Sequence, residues 1–105
     1  MTYTLAFLPE VEDDIAAGYA WYEEKSRGLG EEFLRTFYSC AGQIKRNPLF
    51  YLKRDPGFRR CLLRRFPYAI YFTVEADQVL ICGVFHSARD PRTIRSILED
   101  RGPED

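Results

Sequence analysis

Two neighbouring segments carry apolar side chains at both alternations, and this restricts the fold more than any other feature of the sequence. Along residues 68–74, one alternation reads Tyr68, Ile70, Phe72 and Val74, and the other Ala69, Tyr71 and Thr73. Along 79–85, one reads Val79, Ile81, Gly83 and Phe85, and the other Leu80, Cys82 and Val84. Successive side chains of a strand point to opposite faces, so a sheet covered on one side alternates apolar with polar residues. These segments do not alternate in that way. Both faces need a cover, and a layer of two helices supplies only one. The second cover is a C-terminal helix, a second subunit or a partner chain. A final helix of about eight residues is a small lid. The expectation is therefore that a partner docks on the second face, since a bare apolar patch of this kind marks an interaction site.

The rest of the chain supplies the helices. Residues 3–8 alternate partly and read as a short strand. Pro9 suits the first position of a helix, and Glu10, Glu12, Asp13 and Asp14 suit its positive end. Val11, Ile15, Tyr19 and Tyr22 recur at helical spacing, and Ser26–Gly30 is a turn. A second helix has the buried stripe Phe33, Phe37, Cys40 and Ile44, widened by Leu34 and Ala41. Asn47-Pro48 ends it, because the residue before proline is pushed out of helical geometry. The short connection predicts an antiparallel helical hairpin.

Residues 49–57 read as irregular, with a turn at Pro56-Gly57, and three strands follow over 58–65, 68–75 and 78–86. Their short links predict antiparallel pairing. Asp90-Pro91 caps a last short helix with apolar face Ile94, Ile97 and Leu98, and the tail from Arg101 to Asp105 is expected to fray. The order β-α-α-β-β-β, with a short C-terminal helix, predicts a single α+β domain over 1–105, with the helical hairpin packed on a small antiparallel sheet.

A chain of 105 residues with 46% hydrophobic side chains can build a core without a disulfide or a metal. No apolar run reaches the length that spans a bilayer, and the first residues lack the pattern of a signal peptide, so a cytoplasmic location is expected. Cys40, Cys61 and Cys82 are scattered, and His86 is the single histidine, so neither a metal site nor a cofactor is expected. The cysteines read as reduced and structural, with Cys61 and Cys82 as potential strand neighbours. Net charge is −1, but Lys53, Arg54, Arg59, Arg60, Arg64 and Arg65 form a basic cluster interrupted only by Asp55. Such a cluster is either the footprint of an acidic partner or a charged strand edge that resists aggregation.

Leu63-Arg64-Arg65-Phe66-Pro67-Tyr68-Ala69-Ile70-Tyr71-Phe72 resembles the Arg-Arg-Phe-Pro-Tyr stretch of ParE-like toxins. The apolar strand Val79–Val84, followed by His86-Ser87-Ala88-Arg89-Asp90-Pro91, resembles their last strand and its His-x-x-Arg ending. Asp14-Ile15, Trp21-Tyr22, Gly30, Phe33 and Asn47-Pro48 fit the two helices. Over essentially its whole length the chain resembles the RelE/ParE toxin superfamily, in its ParE-like branch.

The resemblance implies a bacterial or archaeal toxin–antitoxin module of the plasmid-stabilisation type, with a ParD-like or other antitoxin as partner and a homodimer or a heterotetramer with antitoxin as the assembly. ParE-like members bind and inhibit DNA gyrase. RelE-like members cut ribosome-bound mRNA, using the 2′-hydroxyl as nucleophile, and need a base, an acid and cations around the phosphate. For a partner or target, the residues implied are Arg59, Arg60, Arg64, Arg65, Tyr68, Ile70, Phe72, Arg89, Arg92 and Arg95. For a metal-independent ribonuclease they would be His86, Arg89, Arg65 and Tyr71. The nuclease set is incomplete: RelE-like enzymes usually carry an arginine where Tyr68 stands, and no Tyr, Lys or His follows Arg89. His86 reads more readily as a strand-end residue that hydrogen-bonds to backbone than as an acid–base group. The reading is therefore a gyrase inhibitor, with an mRNA interferase or an inactive homologue that only binds antitoxin as alternatives.

Overall fold

The computed structural model describes residues 2–101 apart from Pro56, without the side chains of residues 54 and 55. The proline of the expected Pro56-Gly57 turn and the tail 102–105 lie outside the described residues. The elements are β1 (Thr4–Phe7), α1 (Pro9–Lys25), α2 (Leu29–Arg46), a 3-10 turn (Pro48–Phe50), β2 (Lys53–Asp55), β3 (Phe58–Leu62), β4 (Tyr68–Glu75), β5 (Gln78–His86) and α3 (Pro91–Arg101). This is the α+β fold expected from the sequence. No helix among the described residues is long and apolar enough to cross a membrane.

The sheet order is β1-β5-β4-β3-β2. β2 to β5 run antiparallel in sequence order, but β1 pairs with β5 in parallel, so the sheet is mixed. A parallel neighbour requires a crossover, and here the hairpin and the three intervening strands all lie between β1 and β5 in the sequence.

The link between α1 and α2 is short, and α1 caps the start of α2. Gly28 takes the left-handed conformation at φ 89°, which costs glycine little. The Glu23 carboxylate, near the end of α1, accepts the backbone N–H groups of Gly28 at 3.1 Å and Gly30 at 3.0 Å. It thus occupies orphan donors at the start of α2 and places negative charge at its positive end. The stripe Phe33, Phe37, Cys40, Ile44 is buried as its spacing predicts. It packs with Val11 and Ile15 of α1 against Cys61, Ile70, Phe72, Val79, Ile81 and Val84.

A second apolar cluster lies on the opposite face, where Ala69, Tyr71, Cys82 and Phe85 pack against Ile94 and Leu98 of α3. This overturns the expectation that a partner covers that face. The helix has 11 residues rather than about eight, and Leu98 is fully buried. The frayed tail was likewise drawn one residue too early, since Arg101 belongs to α3 and is half-buried.

A β-bulge sets which strand residues face each layer. Tyr71 pairs with Gly83, but the next residue, Phe72, pairs with Ile81, so Cys82 has no partner across the strand. Such an extra residue shifts the alternation by one. Val79 and Ile81 face the hairpin, and beyond the bulge Val84 does so too, while Phe85 faces α3. Asp14 of α1 accepts the Val84 N–H at 3.0 Å, and Arg101 of α3 donates to the Cys82 carbonyl at 3.2 Å. The two side chains also form a bidentate ion pair at 2.7 and 2.9 Å. One buried pair therefore supplies partners for the disrupted ladder and fastens α1, β5 and α3 together. At Gly83 a β-carbon would overlap the Phe85 ring and lie 3.1 Å from Leu98, so glycine lets α3 approach the bulge.

Candidate functional site: the basic loop and the far end of the sheet

The β3–β4 connection carries the arginines picked out by the sequence. The expected strand over 58–65 stops at Leu62. Arg65 takes a positive φ of 68°, and Phe66 turns inward to meet Tyr22 and Phe33 at ring-centroid distances of 4.9 and 5.5 Å. Anchored by Phe66, the loop leaves Arg64 and Arg65 exposed. Arg65 reaches Glu32 of α2 at 2.7 Å, and its guanidinium lies 5.6 Å from the Phe66 ring. Between α2 and this loop lies a groove of about 300 Å³, lined by Arg35, Ser39, Cys40, Gln43 and Arg64 among others.

Arg59 and Arg60 sit on β3 and point to opposite sides of the sheet. Arg59 lies across from Phe72 on the hairpin side and donates to the Tyr51 carbonyl. Arg60 lies across from Tyr71, on the side of α3. Arg92 and Arg95 are exposed on α3. Arg92 pairs with Asp90, whose carboxylate also accepts the Arg92 N–H at 2.9 Å, so Asp90 caps the helix as its position predicts. These hydrogen bonds hold the Asp90 carboxyl below its ordinary value.

At the far end of β4 and β5, Tyr68 faces His86 with ring centroids 5.3 Å apart. His86 Nδ1 accepts the Ala88 N–H at 3.0 Å, which leaves the proton of the neutral ring on Nε2. The His86 carbonyl accepts the Arg89 N–H at 3.1 Å, and Ser87 N–H donates to Pro67 at 2.7 Å. His86 thus orders the turn into α3. Arg89 lies over the Phe85 ring at 5.4 Å. Burial pushes the Tyr68 hydroxyl up, and the positive charge of Arg89 opposes this in part.

The residues that would make up a nuclease are not brought together. The hydroxyl-bearing Tyr71 is only 5% exposed, on the face covered by α3, whereas Tyr68, the ring partner of His86, packs with the hairpin-side core. Arg65 is held by Glu32. Two residues proposed for partner contact require correction as well. Ile70 and Phe72 are fully buried beneath the hairpin and offer no surface in this fold, because their alternation on β4 faces the helical layer. Of the sequence-derived candidates, Arg64, Arg65, Tyr68, Arg89, Arg92 and Arg95 remain at least partly exposed, as do Arg59 and Arg60.

One surface was not anticipated. An open apolar groove of about 660 Å³ runs along α1, α2 and the end of β1, with Phe7, Ile15, Leu34 and Tyr38 in its lining and Glu12 and Glu31 at its polar margin. Phe7 and Tyr38 are among the exposed large hydrophobics, and both stack on Phe37. The signal for it in the sequence was Tyr38, an aromatic outside the buried stripe of α2.

A helical hairpin on one face of a mixed sheet, with a terminal helix on the other, defines a small α+β class that includes known toxins. A chain of the chromosomal ParDE toxin–antitoxin system from P. aeruginosa is 18% identical and superposes with a TM-score of 0.69, over 81% of this chain and 96% of that one. A free-state mutant of the E. coli toxin RelE is 15% identical, with a TM-score of 0.62 over 96% of this chain and 98% of that one. No family model and no curated protein sequence matches the chain. The chain has the RelE/ParE toxin fold.

Proposed function

We propose that the chain is the toxin of a type II toxin–antitoxin module and acts in the ParE-like manner, by binding and inhibiting DNA gyrase. The observation that carries this choice is the separation of Tyr71 from His86 by the thickness of the sheet. General acid–base cleavage of RNA needs both proton-transfer groups within hydrogen-bond reach of one phosphate. Tyr71 is beneath α3, and Tyr68, which does lie beside His86, is pushed away from neutrality by burial. What this end of the molecule does present is Arg64 and Arg89, both exposed and suited to hold an acidic surface.

The antitoxin has a surface of its own to use. The hairpin groove is apolar, and it adjoins β1, an edge strand whose outer side is unpaired in the sheet order. An apolar groove beside a strand edge suits an amphipathic helix or an added strand, two recurring modes of peptide recognition.

Purified chain would be tested for inhibition of gyrase supercoiling and for mRNA cleavage in a translation extract. Inhibition without cleavage is expected. His86→Ala should leave inhibition within about threefold of the parent, a difference of under 1 kcal/mol. Cleavage without inhibition, abolished by His86→Ala, would establish the interferase instead. Neither activity, with antitoxin binding retained, would mark an inactive homologue.

A further inference from the structure

Cys40 on α2 and Cys61 on β3 were expected to be reduced and structural, with Cys61 and Cys82 as potential neighbours. The fold instead brings Cys40 Sγ and Cys61 Sγ to 3.1 Å, while Cys82 lies in the cluster on the other face of the sheet. The sulfurs of a disulfide are about 2.05 Å apart, so a small side-chain rotation joins this pair without moving either element far. The pair is buried in the hairpin-side core, and one member borders a groove. Cys40 lines the groove between α2 and the β3–β4 loop, beside Arg35 and Arg64, and both cysteines keep 5% of their surface exposed.

We propose that Cys40 and Cys61 form an oxidisable dithiol, a modification site at which a hydroperoxide closes a reversible disulfide between α2 and β3. The groove gives a small neutral oxidant a path to Cys40, and the 3.1 Å separation gives the second thiol its target. Hydrogen bonds from Cys40 and from the Tyr51 hydroxyl pull the Cys61 thiol down against its burial, and the same sharing pushes Cys40 up. Burial and the neighbouring Cys61 push Tyr51 up to about 12, so it remains protonated and able to donate.

Either thiol can attack as its thiolate; with Cys61 as the attacker, the atoms balance. Its sulfur takes one oxygen of the peroxide, the O–O bond breaks, and the departing hydroxide gains a proton to leave as water. Cys61 is now a sulfenic acid. The Cys40 sulfur, losing its proton, attacks the Cys61 sulfur, and the S–O bond breaks to release a second water. Two thiols and one hydroperoxide of hydrogen give one disulfide and two waters. A dithiol reductant reverses it through a mixed disulfide. The bond would staple residues 41–60, which include the 3-10 turn, β2 and Arg59, to the rest of the molecule.

The folded chain would be treated with hydrogen peroxide, quenched, denatured, alkylated and mapped by mass spectrometry. The untreated chain should label at all three cysteines. The treated chain should label only at Cys82 and yield a Cys40–Cys61 cross-linked peptide, and dithiothreitol should restore labelling at all three. Cys40→Ser or Cys61→Ser should halt the reaction at a sulfenic acid on the cysteine of the pair that remains, which dimedone traps. Should those variants fail to fold, Cys82→Ser keeps the pair intact and must still lose both thiols. Labelling that persists at Cys40 and Cys61, a bridge that includes Cys82, or a cross-link only between chains would overturn the proposal.

Discussion

Asp14 and Arg101 fasten three elements together through one ion pair. Their pair is only 10% and 15% exposed, and each partner also satisfies a backbone group at the β5 bulge. Breaking a buried pair by removing one partner leaves the other charge uncompensated and costs about 3–5 kcal/mol. Asp14→Ala should therefore lower unfolding stability in urea by that amount. Arg65→Ala removes a pair that is 64% and 40% exposed and should cost under about 1 kcal/mol. Equal costs for the two variants would contradict this assignment. Asp90 gives a pH dependence of known sign. Its folded value is depressed, so its support of α3 is present above the ordinary carboxyl value near 4 and fades as pH falls through the lower folded value. Removing it by Asp90→Asn should flatten the acid limb of stability against pH. Asp14 was legible as an acid near a helix start, but its partner is 87 residues away in the chain, and no local pattern encodes that.

α3 is the element whose weight the sequence understated. Leu98 is fully buried against Tyr71, Cys82 and Phe85, so Leu98→Ala should cost about 2–5 kcal/mol by urea denaturation. Gly83→Ala introduces a β-carbon between the Phe85 ring and Leu98 and should cost about 1–3 kcal/mol through overpacking. A chain ending before Pro91 should bind more hydrophobic dye and self-associate more than the intact chain at the same concentration. Equal dye binding by the two would mean that α3 is not the cover. Element bounds were legible where local chemistry fixes them: β4 and β5 match 68–75 and 78–86, α1 starts at Pro9, and α2 ends before Asn47-Pro48. The two-sided apolar pattern correctly required two covers. It misassigned the second one, because the bulge at Cys82 is invisible to alternation and the helix continues through Arg101.

At the scale of the molecule, the two layers leave different surfaces for different tasks. The hairpin groove beside β1 is apolar, and the loop at the far end of the sheet is basic. The basic residues were legible from clustering, and Phe66 explains why they stay outward. The groove was not legible, because Phe7, Leu34 and Tyr38 come from separate elements and meet only in the folded chain. Nor could spacing reveal that Ile70, Phe72 and Tyr71 are spent on packing rather than on contact with a partner. The account rests on a frame that presents charge without assembling a proton-transfer pair. Its most direct test is a supercoiling assay of purified gyrase titrated with the chain and with its His86→Ala variant. Dose-dependent loss of supercoiling by both is the predicted result. Supercoiling unaffected at saturating chain, while mRNA is cut in a translation extract by the parent but not by His86→Ala, would contradict it.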